Sequence, residues 1–361
     1  GREVGIQLAT HDFWNQVKDC GYCALWNGSI NGGAPSFADP FGSTFHPIVS
    51  LTTLMFGIIN GVKVASLVTI WIAGIAQWGI AKLFDARRIV RLWSGALAVV
   101  GGHIVGKLEL GAFGITLSTV MASVVLFFLL LFVKKKNNKS LVLLAASITL
   151  LLLSGHGYMQ VGILSSLPIL YFLVIRKLPP ITQKKYLVSI ILGFLMASII
   201  IVPIIHFYPQ IEKWGDPDGT LSQKIEYIPL NLVIHDWEYY IRDTLNKPPF
   251  PYLTNIYIGW VPVILASISF FFKREKFKPY FIFLAWLIPV FLFLASGYPV
   301  QWISKIIPFV SGIRHTLLIA GLMAPAIIGL ASFGLEQVYQ LDWPFLNLSK
   351  ASGKSSGKIS L

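Results

Sequence analysis

The chain has 361 residues, of which 55% are hydrophobic and 12% charged, and its mean hydropathy is +0.69. Soluble domains carry about 25% charged residues, so a soluble globular class is excluded, and a 14% aromatic content excludes disorder and low complexity. The net charge of +13, from 29 Lys+Arg against 16 Asp+Glu, does not indicate nucleic acid, because the basic residues cluster between apolar runs of membrane-spanning length.

In chain order, residues 1–47 form a polar and aromatic segment, read as the first extracytoplasmic loop. Residues 46–62 follow, with Ile48, Leu51, Met55, Ile58 and Ile59 on one helical face and Ser50, Thr53 and Asn60 elsewhere. That pattern predicts an amphipathic helix in the outer interface, the alternative being an early start to the next span. Spans are predicted at about 64–84, 89–103, 111–133, 141–154, 158–175, 186–206, 256–272, 279–296 and 313–335. The expected fold is therefore an all-α polytopic transmembrane bundle of about nine spans, occupying residues 48–345. Spans 89–103 and 141–154 are short for a bilayer core of about 30 Å, and re-entrant hairpins there would leave the sidedness unchanged.

Four loops between these runs are basic: Lys82/Arg87/Arg88/Arg91, Lys134/Lys135/Lys136/Lys139, Arg176/Lys177/Lys184/Lys185 and Lys273/Arg274/Lys276/Lys278. The Ser/Gly/Lys-rich tail, 346–361, adds Lys350, Lys354 and Lys358 and reads as a flexible cytoplasmic segment. By the positive-inside rule all five regions face the cytoplasm. They hold 19 basic residues and, with the adjoining helix ends, the acids Asp85, Glu275, Glu336 and Asp342. The cytoplasmic side thus carries +15 and the remainder −2. The expected location is the cytoplasmic membrane, with the N-terminus outside, the C-terminus inside and membrane lipid as the surrounding partner. Because the chain starts at Gly1 inside an outward segment, it is expected to lack a preceding span.

Polar and aromatic residues concentrate outside, in 1–47, 206–255 and 297–312. No P-loop, HExxH, GxSxG or strand-preceding GxGxxG motif occurs, so cytoplasmic nucleotide chemistry has no visible site. The first segment contains Asp12, Leu25-Trp26-Asn27, Gly32-Gly33-Ala34-Pro35, Ala38-Asp39-Pro40 and Phe45-His46-Pro47. This succession resembles the first outer loop of GT-C superfamily membrane glycosyltransferases, especially the YfhO-like branch. Gly102-His103, Gly155-His156 with Gln160, and Ile313-Arg314-His315 add to the resemblance.

The resemblance implies transfer of a sugar from a polyprenyl-phosphate donor to an acceptor on the outer face. Such a reaction needs a carboxylate to take the acceptor's proton, and positive charge or a divalent metal to meet the leaving phosphate. Asp12 matches the family's catalytic acid by position, against the plain alternative of a helix N-cap. Asp39 is either a turn-shaping Asx residue or a second carboxylate. His103, Lys107 and Glu109 share one outer turn, and His156 and Gln160 another; both turns either line a polar cavity or cap the interface. Arg314 and His315 are candidate contacts for a donor phosphate, with Lys305 a weaker one.

The 206–255 loop mixes Trp214, Tyr227, Trp237, Tyr239 and Tyr240 with carboxylates, which suits either sugar stacking or an interfacial aromatic belt. Cys20 and Cys23 lack further zinc ligands apart from His11, leaving a local disulfide or two inert thiols. The rival to an enzyme is a non-catalytic subunit that keeps the fold and binds other membrane subunits.

Overall fold

The computed structural model describes residues 2–28, 33–39, 42–109, 111–207, 223–235, 255–272, 275–306 and 315–341. These residues are almost entirely helical. In order they form α1 (Arg2–Cys20), α2 (Pro47–Leu83), α3 (Arg88–Val100), α4 (Gly102–Glu109), α5 (Phe113–Lys135), α6 (Asn138–Leu152), α7 (Gly157–Leu164), α8 (Ser166–Leu173), α9 (Pro180–Met196) and α10 (Ser198–Phe207). The series continues with α11 (Trp260–Ile268), α12 (Lys278–Ala295), α13 (Tyr298–Ser304) and α14 (Met323–Gln340). One two-residue antiparallel pair interrupts it, Trp26↔Pro35 and Asn27↔Ala34, in the loop after α1.

Local chemistry sets the helix ends. Pro47 opens α2 at a position where a missing N–H costs nothing, and His46 Nδ1 accepts from the Ile48 N–H. Asn137 caps α6 by accepting from the Ser140 N–H at 2.8 Å. Helix α9 ends where Thr149 Oγ1 of α6 also donates to the Gly193 carbonyl, the acceptor of its final turn. Beyond that break α10 departs at 62°.

Helix α5 and the run 316–340 form the centre, and both are almost wholly buried. Helix α5 packs against α2, α4, α6 and α7, while α14 packs against α3, α11 and α12. Leu67, Trp71 and Ile75 of α2 face outward, as lipid-facing side chains do.

Among the described residues six helical stretches are long and apolar enough to cross a membrane: 47–83, 88–109, 113–135, 157–177, 275–295 and 316–340; the α9–α10 pair makes a seventh if the bent pair is one span. The expected 89–103 span is longer than its sequence suggested, because α4 continues α3 after Gly101. The expected 141–154 and 256–272 spans appear as shorter apolar helices, Asn138–Leu152 and Trp260–Phe271.

Three of the four basic loops meet at one end of the bundle. Asp85 there binds Lys134 at 3.4 Å and Lys276 at 2.6 Å, and Arg87 Nε binds Glu336 of α14 at 3.2 Å. The fourth basic loop adjoins through Tyr186, whose ring lies 5.8 Å from Phe132 near the same end of α5.

Helix α2 is two arms joined at Gly57, whose φ of 72° and ψ of −175° are not helical. In the first arm, residues 47–56, Leu51, Leu54 and Met55 are exposed while Val49, Thr52 and Thr53 are buried. Of the remaining residues expected on the apolar face, Ile59 is exposed and Ile48 and Ile58 half-buried.

Candidate functional site at the polar end of the bundle

At the end opposite the basic loops, buried polar side chains collect around the first half of α5. The segment FGITLSTVMAS places Thr116, Ser118, Thr119 and Ser123 within an otherwise apolar helix, and all four are buried. Hydroxyls of this kind join helices by hydrogen bonds where water is absent. Thr119 Oγ1 accepts from Lys107 Nζ at 3.1 Å, tying α4 to α5. Ser118 Oγ lies 2.7 Å from Ser154 Oγ and accepts from the His156 N–H at 3.2 Å, tying in the second Gly-His turn. Neighbouring residues of one helix thus hold both Gly-His turns.

Lys107 is fully buried, with the Thr119 hydroxyl as its hydrogen-bond partner and the Gly321 backbone close by. A side chain at position 321 would begin 2.8 Å from the Lys107 Nζ. His103, one turn earlier on α4, is 1% exposed and its Nδ1 has no hydrogen-bond partner among the described residues. Across α4 runs the segment 255–259. The Gly102 N–H donates to the Tyr257 carbonyl at 2.7 Å, and the Asn255 side chain fills the notch left by Gly102 and Gly106. His315 packs edge-on against Tyr158 of α7, with ring centroids 5.9 Å apart, which brings the start of the last long helical run to the same end.

Helix α1 reaches this cluster from outside. Val4 lies against Gly111 in the α4–α5 turn, and the His11 ring lies 6.2 Å from Phe113 of α5. Its central turn is clamped. His11 Nδ1 is 2.6 Å from Thr53 Oγ1, Trp14 Nε1 donates to the Thr44 carbonyl, and Phe13 packs edge-on against Phe45. Asp12 lies within this clamp, half-buried, and accepts from Gln16 Nε2 at 2.6 Å. It therefore sits in the middle of α1, not at its N-cap. Burial lowers the His11 pKa from 6.5 to about 4 and that of His46 to about 3, so both imidazoles are neutral.

The remaining expected site residues are placed as follows. Asp39 is half-buried at the end of a short 3-10 turn, its Oδ2 beside Gly42. Glu109 is exposed at the end of α4, two residues beyond the buried Lys107. Gln160 Nε2 donates to the Leu151 and Leu152 carbonyls, so this amide caps the end of α6. Lys305 is exposed. Cys20 and Cys23 are joined as a disulfide. Arg314 lies outside the described residues, as do Trp214, Trp237, Tyr239 and Tyr240; Tyr227 is half-buried. Among the described residues no three His, Cys, Asp or Glu side chains gather to hold a metal ion.

No protein-family model matches this sequence, and no curated protein matches it. Among solved structures it is similar to ArnT from Cupriavidus metallidurans bound to undecaprenyl phosphate. The two share 14% sequence identity and a TM-score of 0.33, over 90% of this chain and 72% of ArnT.

Sequence reasoning missed Ser118, Thr119, Ser154, Asn255 and Tyr158. The first two carried a usable signal, since hydroxyls inside a 23-residue apolar helix mark the face turned towards other helices.

Proposed function

We propose that the protein is a multi-pass component of the cytoplasmic membrane, crossing it nine times with its N-terminus outside and its C-terminus inside. We propose further that it is a glycosyltransferase-like protein of the GT-C type. It would move a sugar from a polyprenyl-phosphate donor to an extracytoplasmic acceptor. One observation carries the reading: Asp12, which matches the family's catalytic position, is half-buried in a clamped turn of α1 with a neutral amide as its hydrogen-bond partner. A carboxylate held in place, with no ion pair to any described cation, is suited to accept a proton.

In this scheme the acceptor hydroxyl attacks the anomeric carbon. The new C–O bond forms as the bond to the donor phosphate breaks, and Asp12 takes the hydroxyl proton. The departing phosphate keeps the bonding pair, and Arg314 and His315 offset its charge. His103 and His156 line the polar end, the Gln160 carbonyl oxygen and Glu109 are available to sugar hydroxyls, and Asp39 shapes the loop beside Asp12. Aromatic residues of the 206–255 loop supply stacking faces for the sugar.

The test is transfer from a polyprenyl-phosphate-linked sugar in membranes containing either the wild-type protein or Asp12→Asn. The substitution keeps the shape and the Gln16 contact but removes the base, so transfer should fall by about 10²-fold or more while the amount of folded protein is unchanged. Undiminished transfer by Asp12→Asn rejects the assignment. Purification from native membranes adds an independent arm. Co-purifying polyprenyl phosphate supports the enzyme, whereas fixed stoichiometric subunits without lipid-linked sugar support an accessory role.

A further inference from the structure

Helices α2 and α3 form a hairpin that crosses closely at two glycines. A Cβ at Gly95 would lie 3.0 Å from the Gly74 carbonyl oxygen and 3.6 Å from the Trp78 Cβ. Within about two turns of that crossing, towards the basic loops, α2 carries Trp78 and Lys82 while α3 carries Arg88 and Arg91.

The Trp78 ring gathers two of these cations. Lys82 Nζ lies 5.2 Å and the Arg91 guanidinium carbon 5.8 Å from its centre. Arg91 Nε donates to the Ala86 carbonyl, which fixes the guanidinium and keeps its terminal nitrogens as donors. Arg88, three residues before Arg91 on the same side of α3, is exposed.

The described carboxylates at this end are engaged elsewhere. Asp85 binds Lys134 and Lys276, Glu336 binds Arg87, and Glu275 lies 3.9 Å from Lys278. Among the described residues Lys82, Arg88 and Arg91 therefore have no ion-pair partner. Two like charges drawn to one ring repel, and an anion shared between them removes that cost. Arg87 stands apart from this set, because its guanidinium stacks on Tyr339 and pairs with Glu336.

An apolar face leads from this cluster into the bilayer. Trp71, Ile75, Trp78 and Lys82 recur at spacings of four, three and four along α2, so they share one side of the helix. Trp71 and Ile75 are exposed, as are Leu92 and Val100 of α3. From Lys82 to Trp71 the face is about 16 Å long, close to the hydrocarbon depth of one leaflet, about 15 Å.

We propose that this end of the α2–α3 hairpin is a binding site for one anionic phospholipid. Its phosphodiester sits between Lys82 and Arg91 with Arg88 at the rim, and an acyl chain follows the face that ends at Trp71. Arg offers a two-pronged contact to phosphate oxygens, and Lys a movable point charge. A zwitterionic lipid would bring its own cation into the cluster, so the site selects lipids of net negative charge. Inorganic phosphate offers the same anion but nothing for the apolar face. Charge bias alone would spread anionic lipid over all the basic loops; the pair of cations held on Trp78 localises it.

The experiment is native mass spectrometry of the full chain in detergent, titrated with phosphatidylglycerol or with phosphatidylcholine of matched chains. Wild type is compared with Lys82→Gln/Arg91→Gln and with Lys139→Gln/Lys184→Gln, which removes the same charge from two other basic loops. Wild type should hold one phosphatidylglycerol more tightly than phosphatidylcholine, and Lys82→Gln/Arg91→Gln should weaken that binding about tenfold or more. Lys139→Gln/Lys184→Gln should leave it within about twofold of wild type. Trp78→Leu, which keeps both charges but releases them from the ring, should weaken it severalfold. Where Arg91→Gln unsettles the hairpin, Lys82→Gln alone, at an exposed position, should still weaken binding severalfold. Equal losses from the two double substitutions overturn the proposal, because the attraction would then be diffuse. So does equal affinity of the wild type for the two lipids. Displacement of phosphatidylglycerol by millimolar inorganic phosphate also overturns it, since the free anion would then be the occupant. None of these readouts depends on sugar transfer.

Discussion

Burial holds the His11 imidazole neutral, and its 2.6 Å contact with Thr53 gives that neutral ring a role in the clamp around Asp12. Its pKa, about 4 in the folded protein against 6.5 when free, means that the unfolded chain binds more protons between those values. Stability is therefore complete above pH 6.5 and is lost as the pH falls towards 4, by a total of order 1–3 kcal/mol. His46, lowered to about 3, adds to the same trend and extends it further into acid. Thermal unfolding in detergent should show a midpoint that drops across this window and drops less in His11→Gln. An identical slope in that variant would remove His11 from the account. At this scale the sequence was partly legible. The Cys20–Cys23 pair and the two Gly-His turns could be picked out because each has a distinctive local pattern, whereas Asp12 stood out only through the resemblance to the GT-C first loop. The partners of His11 and Lys107 could not, since Thr53 and Thr119 come from helices whose register only packing decides.

Helix corners and close helix contacts depend on individual glycines, and two of them separate backbone strain from steric overlap. A side chain at Gly57 would meet nothing within 4 Å, but the φ of 72° is unfavourable for alanine. Gly57→Ala should therefore cost about 2 kcal/mol, because a φ of 72° with a ψ of −175° lies in a region essentially confined to glycine. At Gly334 the Cβ would lie 2.1 Å from the Leu265 carbonyl oxygen, so α11 and α14 must move apart. Gly334→Ala should cost clearly more, about 3 kcal/mol, because backbone cannot rotate away as a side chain can. Unfolding midpoints of the two variants in the same detergent would give the order; a smaller loss at Gly334 contradicts the contact. Hydropathy located every apolar run, since each had to be apolar to be buried in bilayer or bundle. It could not register that α3 and α4 join into one 22-residue stretch across Gly101, or that α9 and α10 bend by 62°, because a break of one residue leaves composition unchanged. The amphipathic reading of 46–62 located the apolar side at Leu51, Met55 and Ile59, all exposed. The corner at Gly57 lay beyond it.

The two ends of the bundle differ in kind. One carries basic loops linked by exposed or half-exposed ion pairs: Asp85 bridges Lys134 and Lys276, and its carboxyl is held below the usual value, chiefly by the hydrogen bond from Lys276. Exposed pairs of this type contribute little to stability, at most about 1 kcal/mol, so they record which loops share an end more than they hold the bundle together. Arg87 with Glu336 is tighter, since the Glu336 side chain is 6% exposed and also accepts from the Arg87 N–H at 2.8 Å. The other end buries hydroxyls, imidazoles and one lysine. Loop charges suggested this division because charge bias governs insertion, and the ion pairs join loops far apart in sequence at the end that bias assigned to the cytoplasm. The outward orientation proposed from the same rule can be measured directly. Single cysteines at Lys139 and Lys184, at the basic end, should resist a membrane-impermeant maleimide in intact cells and react once the inner face is opened. Cysteines at Lys18 and Lys305, on exposed positions of the α1 and α13 regions, should react in intact cells. Labelling of Lys139 and Lys184 from outside would invert the topology and place Asp12, with both Gly-His turns, in the cytoplasm, where the proposed lipid-linked sugar chemistry could not proceed as written.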